Sequence, residues 1–141
     1  IIFKNQFASR EEFDSLFTAA DLVATCYPRH IGSASILIRA AEAEKKILAS
    51  DFGWIGWACE NYKLGTTCQA GNIDDIRDGL IRTLQSTVNS CDKNQQIKTS
   101  FVNYHTLPNH TAHFTSLICE LHGKPKPKLS PFPSPVSTNS F

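Results

Sequence analysis

Short β-rich runs alternate with helical segments along most of this chain, and that alternation fixes its architecture. Asp21–Tyr27, DLVATCY, reads as a strand that Pro28 stops. Ile47–Ser50 reads as a second strand and Thr66–Gln69 as a weaker third. Ile1–Phe7 gives a further candidate strand at the start. Between these runs the periodicity is helical. Ser9 and Glu12 form an S-x-x-E capping box ahead of Phe13, Leu16, Phe17 and Ala20. A Gly-Ser loop from Gly32 to Ser35 leads into ILIRAAEAEKK, rich in helix formers, and Trp54, Ile55, Trp57 and Ala58 suggest a helix ending before Gly65. Asn72 caps a helix whose stripe of Ile73, Ile76, Leu80, Leu84 and Val88 is predicted to face the core. Two more helices follow, one carrying Ile97, Phe101 and Tyr104, the other, after Pro108, carrying Phe114, Leu117, Ile118 and Leu121.

Strands alternating with helices imply an α/β fold in three layers, with a mainly parallel sheet covered by helices. Four short strands are few for such a sheet, and the chain opens Ile1-Ile2-Phe3 and contains no Met, so a partial domain cut from a longer chain is expected. Residues 1–122 read as one lobe. Residues 123–141 hold five of the seven prolines and no period of either kind, so they are expected to be a disordered Pro-rich tail.

Fourteen basic against thirteen acidic side chains leave a net charge of +1, which argues against a nucleic-acid binder held by phosphate contacts. No apolar run approaches the roughly 20 residues a transmembrane helix needs, and no stretch has the layout of a secretory signal. Cys26, Cys59, Cys68, Cys91 and Cys119 are odd in number and contain no C-x-x-C, so free thiols in a reducing, cytoplasmic setting are expected. His105, His110, His113 and His122 near Cys119 match no common zinc spacing and read as ordinary helix residues, with no metal site. Asn109-His-Thr111 is a glycosylation sequon that reads as helix capping, and Trp54 and Trp57 read as packing residues.

Two loops are chemically suggestive. Tyr27-Pro-Arg-His-Ile-Gly-Ser-Ala-Ser35 follows one strand and opens a helix, where unpaired N–H groups and the helix dipole suit a phosphate. There Gly32 admits a close backbone approach, Ser33 and Ser35 are able to cap the helix or bond a phosphate oxygen, and Arg29 and His30 add positive charge. The loop fits neither a P-loop nor G-x-G-x-x-G, so helix capping by a turn is its alternative reading. Ser50, Asp51 and Gly53 end the next strand, and parallel strands place both loops on one rim. Asp51 has the alternative of capping the helix that follows.

The ordered series Ala20-Asp21, Pro28, Gly32, Lys45, Ile47 to Asp51, Gly53, Gly65 and the Asn72–Leu84 helix resembles the C-terminal lobe of retaining family 4 glycosyltransferases with the B-type fold. Those enzymes typically read A-D-x-x-x-x-P-S, then E-G-F-G-x-x-x-x-E-A-M-A-x-G-K-P-V-I-A-S-D-x-G-G. The resemblance spans residues 1–122 and implies a Rossmann-like lobe that binds a nucleotide-sugar. It implies sugar transfer to an acceptor hydroxyl, with no cofactor and no bound metal. The implied contacts to the sugar nucleotide are His30, Gly32, Ser33, Ser35, Arg39, Ser50, Asp51 and Gly53. The family's two glutamates, eight apart, fall on Ile31 and Arg39, while Glu42 and Glu44 sit at the wrong spacing. The pattern H-x-G-S-x-S-x-L-x-R-A-A resembles a divergent branch with Arg in place of the second glutamate, where it bonds ribose hydroxyls or pairs with a phosphate. The family's basic pair and its acceptor-binding N-terminal lobe lie upstream of this sequence. That absent lobe is the expected partner, and through it a peripheral membrane contact is possible. No catalytic residue is assigned within this chain. The rival reading is a non-catalytic α/β binding or interaction module descended from such a lobe.

Overall fold

The computed structural model describes residues 5–86, 92–129 and 131–134. Nine elements follow one another: α1 (Arg10–Ala19), β1 (Leu22–Thr25), α2 (Ser35–Glu42), β2 (Lys46–Ser50), α3 (Gly53–Asn61), β3 (Thr66–Cys68), α4 (Ile73–Gln85), α5 (Asp92–Tyr104) and α6 (Leu107–Leu121). The three strands form one sheet in the order β1-β2-β3. Both pairings are parallel, with Val23 beside Ile47 and Ser50 beside Cys68. The fold is thus an α/β, Rossmann-like lobe, as the alternation predicts. Of the expected strand over residues 1–7, residues 1–4 lie outside the described residues and 5–7 form no strand.

Alternation along β2 builds the layers. Ile47 and Ala49 are fully buried in a core with Leu37, Ala40, Ile55, Cys59, Tyr62 and Phe101, contributed by α2, α3, α5 and the segment after α3. Leu48 points to the other face, where α4 covers it. α1 and α4 begin at the caps the sequence signals. Ser9 Oγ accepts from the Glu12 N–H at 3.2 Å, and Asn72 Oδ1 accepts from the Asp74 N–H at 3.0 Å.

Two helix faces differ from the prediction. The buried residues of α4 are Gly79 and Thr83; of the predicted stripe Ile76 is half-buried, whereas Ile73, Leu80 and Leu84 are 85%, 38% and 50% exposed. Gly79 is the physical reason: a Cβ there would lie 2.9 Å from Leu48 Cδ1 and 3.2 Å from Cys68 Cβ. The small residue lets the helix approach the sheet closely, and that contact turns the larger apolar side chains outward. Val88 lies outside the described residues. On α6 the buried residues are Asn109 and Ser116, while Phe114, Leu117, Ile118 and Leu121 stay exposed. Asn109 is held by the bond from its Nδ2 to the Tyr104 carbonyl at the end of α5, 2.7 Å away.

The described part of the Pro-rich segment has no helix or strand. Part of it nevertheless contacts the lobe. Phe132 stacks on Trp57 and meets Tyr104 edge-on, and the buried Tyr62 hydroxyl donates to the Pro133 carbonyl at 3.0 Å. Trp54 faces Phe101 and His105, so both tryptophans serve packing.

Candidate functional site

Three parallel strands deliver three loops to one edge of the sheet, the edge at which open α/β sheets bind ligands. The loop after β1 leads into α2, the loop after β2 into α3, and the loop after β3 into α4. They touch one another. The Asp51 N–H donates to the Cys68 carbonyl at 2.9 Å, which ties the second loop to the third strand. Gly53 joins the second loop to the first: its φ is +66°, and a Cβ there would sit 2.5 Å from the His30 carbonyl oxygen. Between the loops lies a cavity of about 340 Å³ walled by Pro28, Arg29, Ser50, Asp51, Gln69 and Gly71, among others.

The predicted site residues divide into two groups. Ser50 and Asp51 line this cavity, and Gly53 and His30 meet beside it. Ser50 is fully buried, and its hydroxyl accepts from the Phe52 N–H at 3.2 Å, so it shapes the turn from below. Asp51 is exposed and makes no hydrogen bond or ion pair with another described side chain, so it does not cap α3. His30 tilts against the Tyr27 ring, Gly32 and Ser33 stand exposed on the same loop, and Ser35, the first residue of α2, is exposed beside them in sequence. The second group is Arg39 alone. It lies in the last turn of α2 and pairs with Asp14 of α1 and with Glu42, the latter at 3.5 Å. Its guanidinium is held toward α1 instead of turning back to the start of its helix. Ile31 is 81% exposed and presents an apolar side chain where the resemblance places an acid.

Helix ends set the electrostatics of the rim. α2 starts after Ala34 and α3 after Phe52, and neither start has a side-chain cap. Both therefore present first-turn N–H groups and the positive end of a helix dipole to the rim. α4 is different. Asn72 caps it, and Asp74 and Asp75 occupy its first turn, with Asp75 Oδ2 accepting from the Gln69 N–H at 2.6 Å. The rim thus has a positive side, formed by two uncapped helix starts and Arg29, and a side whose donors are already satisfied. Arg29 holds φ at +59°, an uncommon conformation for a residue with a Cβ.

The third loop is what the sequence reading overlooked. Gln69, Ala70 and Gly71 wall the cavity, and their signal was only their place after the weak third strand. A second unforeseen feature lies at the strand ends below the cavity. Cys26 Sγ and Cys68 Sγ are 3.6 Å apart, and the Cys26 thiol also points at the Leu48 carbonyl, 3.8 Å away. Burial, aided by the bond to Cys26 and by the charges of Asp75 and Asp51, pushes the Cys68 thiol up to about 12.

Among the described residues no group of three or more His, Cys, Asp or Glu is placed to hold a metal ion, and no helix is long and apolar enough to cross a membrane. Comparison with protein families, with curated proteins and with solved structures finds no match to this chain.

Proposed function

We propose that this chain supplies the nucleotide-sugar-binding part of a glycosyltransferase, which moves a sugar from a nucleoside diphosphate to an acceptor hydroxyl. The observation that carries the reading is the pair of helix starts without a side-chain cap, α2 and α3, that follow adjacent strands at the carboxyl edge of a parallel sheet. A diphosphate is a good leaving group only when its growing negative charge is stabilised. Fixed N–H groups and a nearby guanidinium do so with little reorganisation. In this arrangement the start of α2, with Ser33 and Ser35, meets the phosphates, and Arg29 adds charge from the loop before it. Asp51 and Gln69, which also line the cavity, would accept from, or in the case of Gln69 donate to, sugar or ribose hydroxyls. Arg39 positions α2 against α1 through Asp14. An acceptor-binding lobe in the longer enzyme would complete the reaction site.

The alternative, a non-catalytic α/β binding or interaction module descended from such a lobe, is favoured by Ile31 and Arg39, which replace both acids of the resembled pattern. Calorimetric titration with nucleoside diphosphates separates binding from its absence. Arg29→Ala should weaken binding about tenfold, equivalent to roughly 1.4 kcal/mol for a lost charge-assisted contact. Unchanged affinity in that variant would remove Arg29 from the site. No affinity of the full 141-residue chain for any nucleoside diphosphate would overturn the sugar-nucleotide reading and favour the interaction module.

A further inference from the structure

The two thiols below the rim come from residues 42 apart in the sequence, and the fold alone brings them together. Cys26 follows the last residue of β1 and Cys68 is the last residue of β3, the two outer strands of the sheet. Their sulfurs meet near the end of the central strand, 3.6 Å apart. Cys26 is half-buried, while Cys68 is only 2% exposed. Cys59, by contrast, is fully buried with its thiol toward the Thr66 carbonyl, and Cys119 has no thiol neighbour among the described residues.

We propose that Cys26 and Cys68 form a redox modification site, in which a small-molecule disulfide converts the two thiols into an internal Sγ–Sγ bond that a small thiol reverses. The more accessible Cys26 acts first. Its thiolate attacks one sulfur of the small disulfide, forms a mixed disulfide and expels one thiolate, which takes up a proton. The Cys68 thiol then releases its proton to solvent and attacks Cys26 Sγ. The internal bond forms, and the second small thiolate leaves. Two protein thiols are oxidised and one small disulfide is reduced to two thiols, so atoms and electrons balance.

Closing the bond brings the sulfurs to about 2.05 Å. The movement falls partly on a turn instead of a strand ladder, because the Tyr27 N–H donates to the Thr25 carbonyl at 2.9 Å and the chain bends at Cys26. Burial of Cys68 explains why the second step depends on proximity: its own thiolate is scarce, but the target sulfur is already beside it. The product staples the segment before Pro28 and Arg29 to the segment before Gln69 and Gly71. These are two walls of the rim cavity, whatever that cavity holds.

The test equilibrates the full chain with mixtures of oxidised and reduced glutathione, blocks the remaining thiols with an alkylating reagent, and maps the peptides by mass spectrometry. The expected result is joint loss of the Cys26 and Cys68 thiols, one linked peptide pair lighter by two hydrogen atoms, and full recovery after excess reduced glutathione. Cys68→Ala should trap Cys26 as its glutathione mixed disulfide, and Cys26→Ser should leave Cys68 reduced. Stable glutathionylation of Cys26 in the unsubstituted chain, linkage of either cysteine to a different one, or persistence of both free thiols throughout the titration would overturn the proposal.

Discussion

Gly53→Ala probes the contact that joins the first two loops of the rim. Gly53 has φ +66°, and the added methyl would lie 2.5 Å from the His30 carbonyl oxygen. Gly123 is a matched control: its φ is +61°, and no atom of the described residues lies within 4 Å of its Cβ position. An L-residue in the left-handed region costs roughly 1–2 kcal/mol at either position. The stabilisation that alanine brings by narrowing the unfolded ensemble applies equally to both and cancels in the comparison. At Gly53 the methyl must also displace backbone, and overpacking of that kind typically costs about 1–3 kcal/mol more. Urea unfolding followed by far-ultraviolet circular dichroism should therefore show a loss of about 1 kcal/mol for Gly123→Ala and about 2–4 kcal/mol for Gly53→Ala. Nucleotide binding should weaken only in the second variant. Equal losses in the two variants would refute the reasoning, since they would mean that the loop carrying His30 is not braced by Gly53.

Two further outcomes follow from buried polar groups. Thr25 is fully buried and its Oγ1 has no hydrogen-bond partner among the described residues. Thr25→Val, nearly the same in shape, should raise the unfolding free energy by about 1 kcal/mol, and a loss of that size would show that the hydroxyl is satisfied after all. Burial holds the His105 pKa below its ordinary value, against the opposing bond to the Phe101 carbonyl. The unfolded chain therefore binds this proton first, and stability falls as pH drops through about 6.5 toward the folded pKa. His105→Gln should flatten that decline between about pH 7.5 and 5.5 in urea midpoints; an identical decline would assign it to other groups.

The strands were legible because each is a short apolar or β-branched run closed by Pro28, Asp51 or the Gln69–Gly71 turn, and the observed β1, β2 and β3 fall within one or two residues of the predicted spans. The caps at Ser9 and Asn72 were equally readable, since each needs only a side chain and an N–H two or three residues away. The facing of α4 and α6 was not. A hydrophobic stripe reports which side of a helix is apolar, whereas burial depends on what surface the rest of the chain offers. At Gly79 closeness of approach outweighed side-chain size. The rim was half legible. Gly32 to Ser35 and Ser50 to Gly53 were marked by their place at strand ends, but the ion pair that draws Arg39 to Asp14 joins residues 25 apart. The meeting of Cys26 with Cys68 depends likewise on strand order, which no local pattern encodes.

The most direct measurement of the proposed function is a two-dimensional amide NMR titration of the full chain with a nucleoside diphosphate and its sugar conjugate. If the rim binds the sugar nucleotide, the perturbed amides will cluster at residues 29–35, 51–53 and 69–71, and the sugar will extend the shifts around Asp51 and Gln69. At the opposite edge of the sheet, Lys45, Lys46, Lys63 and Lys98 line a separate cavity of about 270 Å³. Shifts confined to those lysines would mean that the chain attracts phosphate by bulk charge alone. That result, or no shifts at all, would contradict a nucleotide-sugar site at the carboxyl edge.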